Sequence, residues 1–309
     1  MPAGAQRGKA MLKGLHFLLT YACNFECDHC FLYCGPHAEG TFTLAQLRTA
    51  LDEAAKLGTI GFIFYEGGEP FLYYPLLGEG IKMARARGFK AGVVTNCYWA
   101  TAAEDAALWL DPLQAAGVDE LSLSDDAYHH GEKEDETPAK VAAHAAAELG
   151  VSSGSICIDE PTVEFGVEKG EPVIRGGAVL RGRAVEKLAE GLPTRPWEEF
   201  DECPHEDFRE PGRVHLDAFG HVHLCQGLSM GNMWETPLSK LVKEYEPDAH
   251  PICGPLLNGG PAELVRAYDL DLRGEYVDEC HLCFLARKAL IDKFPEYLAP
   301  RQVYGLENE

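Results

Sequence analysis

From Leu15 to Ile158 the chain repeats one unit: an apolar or β-branched run, a polar turn, and a helix-period stretch that stops at glycine. The runs predicted as strands are Leu15 to Thr20, Thr59 to Tyr65, Phe89 to Thr95, Val118 to Ser124 and Val151 to Ile158, with starts 44, 30, 29 and 33 residues apart. That spacing is the length of a βα unit and predicts a parallel sheet with helices outside. The helices carry their own punctuation. Thr43 with Gln46 and Thr101 with Glu104 have capping-box spacing, and Thr137-Pro138 reads as a cap followed by proline at the first helical position. Gly58, Gly88, Gly117 and Gly150 stand where left-handed C-caps belong. Leu44, Leu47, Leu51 and Ala54 form one apolar stripe on the first helix. Further on, Gly191 to Pro196 reads as a linker, and Val214 to Leu216 and His221 to Cys225 flank a glycine-bearing turn that predicts a hairpin. Strand alternation would put His221, His223 and Cys225 on one face.

The 309 residues suit one large α/β domain, here 1–190, followed by a smaller one, 191–309. No apolar run approaches the ~18 residues of a membrane helix, and Met1 to Gly14 lacks the apolar core of a signal peptide, so a cytoplasmic protein without membrane contact is expected. The formal charge is −22, from 49 acidic and 27 basic residues, with no Lys/Arg stripe to track phosphates. Nucleic acid is therefore not an expected partner. The acidic run Glu132 to Glu136 reads as a solvated loop. Eleven cysteines are too few for a disulfide scaffold of this length and are better used as metal ligands in a reducing compartment.

Three of them, Cys23, Cys27 and Cys30, fall within eight residues in CNFECDHC, and Glu66-Gly67-Gly68-Glu69-Pro70 ends the next strand. An iron-sulfur cube takes four ligands, so a local group of three leaves one iron open. A zinc site completed by His29 or a distant cysteine also fits the spacing. The paired glycines with Glu69, which zinc does not require, favour the cluster. CNFECDHC, EGGEP, Thr95-Asn96-Cys97 and Ser122 to Asp126 all fall at the carboxyl ends of predicted strands, the reactive face of barrels of this type.

On those two motifs, in that order, the chain resembles the radical S-adenosylmethionine (SAM) superfamily. The resemblance implies a partial (β/α)6 TIM-type barrel and a [4Fe-4S] cluster on Cys23, Cys27 and Cys30 whose open iron binds SAM. It also implies reductive cleavage of SAM to a 5′-deoxyadenosyl radical, with electrons from a flavodoxin or ferredoxin. Gly67, Gly68 and Glu69 would contact the methionyl amino group, and His29 would lie beside the adenine. Asn96 and Ser122 or Ser124 would reach ribose or carboxylate, and Arg183, in a GRA segment, either pairs with the SAM carboxylate or opens a surface helix. The sixth barrel strand would fall near Pro172 to Leu180, since Asp159 to Glu171 is too short and too rich in Pro and Gly for the usual fifth helix. Cys157 is expected on the buried side of a strand, Cys34 and Cys97 near the mouth as packing residues in preference to substrate-facing thiols, and Asp125 to His130 largely in a solvated loop.

A second set, Cys203, Cys225, Cys280 and Cys283, resembles the SPASM and twitch extensions of some radical SAM enzymes, with Gly231 to Leu238 matching the segment after the hairpin. It implies one auxiliary [4Fe-4S] cluster in a hairpin-plus-helix domain; a four-cysteine zinc ribbon is the competing reading. Cys253 is left over. The substrate, a peptide or a small molecule, is not specified by these motifs. A first strand starting near residue 15 argues against a peptide-binding module fused in front. The alternative class is a non-enzymatic iron-sulfur electron carrier or SAM sensor, although a carrier would not need the Glu69 loop.

Overall fold

The computed structural model describes residues 12–131, 136–165 and 172–307. Five strands, β1 (Gly14–Thr20), β2 (Phe62–Gly67), β3 (Lys90–Thr95), β4 (Glu120–Ser124) and β5 (Ser152–Ile156), lie side by side in chain order, every neighbouring pair parallel. The crossovers run through α1 (Leu44–Leu57), α2 (Tyr74–Ala86), α3 (Ala103–Ala116), the single turn α4 (Ala127–His130) and α5 (Pro138–Glu148). This is the expected α/β arrangement of a partial TIM-type barrel.

Local chemistry explains most boundaries. Thr43 and Gln46 close a reciprocal capping box on α1, which stops at Gly58 in the left-handed region. Thr137 caps α5 through the Lys140 amide, with Pro138 next. The box expected at Thr101 does not form: α3 begins after Ala102 with no side-chain cap, and the Thr101 hydroxyl bonds Asp105 instead. Leu47, Ala50, Leu51 and Ala54 of α1 are buried, whereas Leu44, placed on the same stripe, is exposed. On the sheet, Leu15, Phe17, Leu19, Ile63, Tyr65, Val93, Leu121 and Leu123 alternate outward beneath these helices. Each large side chain so buried contributes about 1.5–3 kcal/mol. The opposite alternation turns His16, Leu18, Phe64, Glu66, Val94 and Ser124 to the inside of the curve.

After β5 the chain continues through β6 (Thr162–Phe165), β7 (Pro172–Arg175), α6 (Ala184–Lys187), β8 (Arg195–Pro196), β9 (Arg213–Asp217), β10 (His221–Cys225), β11 (Leu228–Asn232), α7 (Leu238–Glu244), α8 (Cys253–Tyr268), β12 (Glu275–Tyr276) and α9 (Glu279–Leu290). The sixth barrel strand expected near Pro172 to Leu180 is not there. Residues 172–175 pair antiparallel with 162–165 as a separate ribbon, with Val163 and Val173 exposed, too short and too two-sided in polarity to be drawn into the sheet. A sixth parallel strand does exist, but it is β9, and it lies on the far side of β1: His16 faces Phe64 on one flank and His215 on the other. The expected hairpin β9–β10 turns at Gly220 (φ 97°) and, with β11, extends the same sheet to the order β11-β10-β9-β1-β2-β3-β4-β5. Cys157, expected to be buried, is exposed just past the edge strand β5. Residues 132–135 of the acidic run and 166–171 of the segment after β5 lie outside the described residues.

Candidate active site

The loop after β1 carries Cys23, Cys27 and Cys30 around one side of a cavity of about 210 Å³ at the carboxyl ends of the strands. The rest of the wall includes Cys34, His29, Glu66, Gly67, Gly68, Asn96, Ser124, Asp126, His129 and Ile156. Five strand ends therefore converge on one mouth.

The two glycines are required by the backbone itself. The Gly68 amide donates to the Thr20 carbonyl (2.7 Å) and the Glu69 amide to the Ala22 carbonyl (2.9 Å), so the β2 loop is zipped onto the chain entering the cysteine loop. A Cβ on Gly67 would collide with the Thr20 carbonyl, and one on Gly68 with the Ala22 carbonyl. Glu69 is fully buried and is not on the cavity wall. Its carboxyl accepts from the Phe71 amide (2.9 Å), the Thr95 hydroxyl (2.9 Å) and the Asn96 amide (2.7 Å), which ties the ends of β2 and β3 together. Burial pushes that carboxyl up to about 7, against these three donors.

Asn96 reaches the site directly. Its amide nitrogen donates to the Asn24 side chain (2.9 Å) and stands 3.6 Å from the Cys23 sulfur. Ser124 is on the wall, while Ser122, one alternation deeper in β4, does not line the cavity. Arg183 grips the cysteine loop from outside: Nη1 donates to the Cys27 carbonyl and Nη2 to the Cys34 carbonyl, each at 2.8 Å, and its amide donates to the Cys30 carbonyl at 2.9 Å. Both ends of the guanidinium are thus occupied by loop backbone. Cys97 is buried in the core at positive φ (62°) and does not line the cavity; Cys34 does.

Burial pushes the Cys23 thiol up to about 11 and the Cys27 thiol up to about 12, whereas contact with the Cys34 thiol, assisted by backbone amides and nearby Arg183, brings Cys30 down to about 6. Buried thiols of this kind give up their protons to a metal. The donor set and the room beside it fit a three-thiolate cluster with one open corner. Two buried polar atoms on the same wall, His29 Nδ1 and Asp126 Oδ2, have no protein partner. His29 lies against Tyr128 with ring centres 4.4 Å apart, and Asp126 holds His129 at 2.7 Å. Asp126 and His129 were expected in a solvated loop; an Asp that caps a helical turn at a strand end was the available signal, since capping fixes its side chain inward.

A second cavity, of about 20 Å³, is lined by Cys203, Cys225, Cys280 and Cys283 together with Arg181 and Arg287. Arg181 Nη1 stands 3.2 Å from the Cys225 sulfur, and its guanidinium also lies over Phe31, next to Cys30 in the first loop. Arg287 is 2% exposed and donates to the Gln226 carbonyl (2.8 Å). One buried and one half-buried cation beside four thiols fit a thiolate-held centre of net negative charge. Cys253 is buried in the core and does not line this cavity. The arginines were missed in the sequence because neither carries a spacing motif.

Comparison with known proteins decides the family. Residues 17–160 match the family model described as the radical SAM superfamily. The barrel half of this chain is a radical SAM domain. Curated relatives with similar segments include the "Putative peptide biosynthesis protein YydG" of Bacillus subtilis, 28% identical over 111 residues, and the "S-adenosylmethionine-dependent nucleotide dehydratase" of Selenomonas ruminantium, 31% identical over 78 residues. These matches span 36% and 25% of this chain and 35% and 27% of the two relatives. Among solved structures, BtrN in complex with AdoMet and 2-DOIA aligns with a TM-score of 0.49 at 14% identity, covering 76% of this chain and 83% of that one. Among the described residues no helix is long and apolar enough to cross a membrane.

Proposed function

We propose that this chain is a radical SAM enzyme in which Cys23, Cys27 and Cys30 hold a [4Fe-4S] cluster and SAM occupies the adjoining cavity. The observation that carries this reading is the union of three thiols and about 210 Å³ of open space on one wall, inside a segment that matches the family. When bound, such a cluster with SAM supplies reductive cleavage of the sulfonium to a 5′-deoxyadenosyl radical that abstracts hydrogen from a substrate. The chain's own contribution is positional. Glu69 and the paired glycines fix the loops, Arg183 holds the ligand loop in shape, and Asn96, Ser124, Asp126 and His29 present polar atoms to the ligand.

Cys203, Cys225, Cys280 and Cys283 would hold an auxiliary [4Fe-4S] cluster, with Arg181 and Arg287 offsetting its charge. A flavodoxin or ferredoxin serves as electron donor. Peptide is the favoured substrate class. Among the described residues β5 is an open sheet edge, and its Ile156 is both exposed and part of the cavity wall, so an extended chain pairing there would be carried past the site. The similarity to YydG, named for peptide biosynthesis, supports the same choice.

Anaerobically reconstituted protein is expected to carry about eight irons per chain. Reduced with dithionite, it is expected to release 5′-deoxyadenosine from SAM. Four irons with one zinc would remove the auxiliary cluster from the proposal; binding of SAM without cleavage would turn the chain into a sensor.

A further inference from the structure

We propose a mononuclear divalent-metal site inside the barrel, held by His16, Glu66 and His215. The three residues come from neighbouring strands, β1, β2 and β9, and their candidate ligand atoms all lie within 4.8 Å of one another. Glu66 Oε2 is 3.2 Å from His16 Nδ1, and Oε1 is 3.0 Å from His215 Nε2. Ligands about 2.0–2.2 Å from a first-row cation stand at about this mutual separation. Two imidazoles with one carboxylate suit iron(II), manganese(II) or zinc(II) and leave further coordination positions open.

Two other groups of this composition exist among the described residues, and each is already engaged. Asp217 accepts from the His221 amide and ring, the His223 ring and the Tyr21 hydroxyl, so its carboxylate is saturated. His29, Asp126 and His129 belong to the wall of the cysteine cavity. Glu66 differs: among the described residues its hydrogen bonds and ion pairs are to the two imidazoles alone. His215 is 6% exposed, and its Nδ1 is buried without a partner, so the ring's polar engagement is through Nε2, directed into the trio. The surroundings are aromatic, with Phe64 4.9 Å from the His16 ring and the rings of His16 and His215 5.0 Å apart. A carboxylate placed among rings, with only two nitrogen partners, gains from a cation shared by all three. Because Glu66 also lines the cysteine cavity, an open position on that cation would face that cavity, where it would take a hydroxyl or carboxylate oxygen of a bound ligand.

The test uses cobalt(II) added to protein whose cysteine sites have first been filled by anaerobic reconstitution, and it involves no SAM cleavage. One bound equivalent with visible d–d bands and no thiolate-to-cobalt charge transfer is expected. His16→Ala and the near-isosteric Glu66→Gln should each weaken binding at least about tenfold with iron content unchanged, the second guarding against loss of fold. Absence of cobalt binding, thiolate charge transfer, or binding by both variants as tight as that of the unsubstituted protein would overturn the site and leave the trio an ion-pair network.

Discussion

The two cysteine cavities are built from the same side chain and differ in almost everything else. The first offers the three closely spaced thiols with Cys34 beside them and about 210 Å³; the second offers four thiols, about 20 Å³, and the guanidinium groups of Arg181 and Arg287. One has room for a guest beside its thiols, whereas the other is nearly filled. Under the proposed function that difference would separate a site where chemistry is done from one that holds a centre in place, and it rests on geometry that no cysteine count conveys.

The sharpest way to break that contrast is to remove one thiol from each side. Cys27→Ala should lower 5′-deoxyadenosine formation by about three orders of magnitude or more and remove about four irons per chain. Cys225→Ala should also remove about four irons, yet leave SAM cleavage without substrate within about tenfold. Equal loss of cleavage in both, followed by product chromatography, would end the distinction.

Next in size is the zipper between β2 and the cysteine loop. Gly68→Ala drives a methyl into the Ala22 carbonyl and should cost about 3–5 kcal/mol in thermal or urea unfolding. Gly58→Ala, with open space around it but a φ of 68°, should cost only about 1 kcal/mol.

The β9–β10 hairpin can be probed by pH. Burial opposes ionisation of Asp217, but hydrogen bonds and charge from His221 and His223 outweigh it and hold the carboxyl well below the usual range. A carboxyl depressed in the fold stabilises above its unfolded value, near pH 4, and that stability is lost as pH falls further. Asp217→Asn should start about 2–4 kcal/mol less stable and lose less between pH 5 and pH 3, read by urea denaturation of metal-free protein. Arg183→Met should cost about 1–3 kcal/mol, with weaker SAM binding through a loosened loop and no change in iron at the second cavity.

Much of this was legible in the chain. The βα spacing placed β1 to β5, Thr43 and Thr137 marked two helix starts, and the two motifs located the cavity, because each rests on residues close in sequence. What was hidden is non-local. Pro172 to Arg175 has strand composition, but nothing in it states that its partner is Thr162 to Phe165 instead of the barrel. Arg183 has the spacing of a ligand contact, yet three loop carbonyls claim it. Glu69 reads as a ligand acceptor until Thr95 and Asn96 arrive from the next strand. His16 and His215 meet only because β9 returns to the edge of β1, which no local pattern announces.

That return has a practical corollary. A fragment ending before Arg213 would keep the matched segment 17–160 but strip β1 of its outer neighbour, baring a strand whose inner and outer faces are already committed. Such a piece would offer the bared edge of β1 to copies of itself, so the recognisable half of this molecule has its edge covered by the half that is harder to recognise.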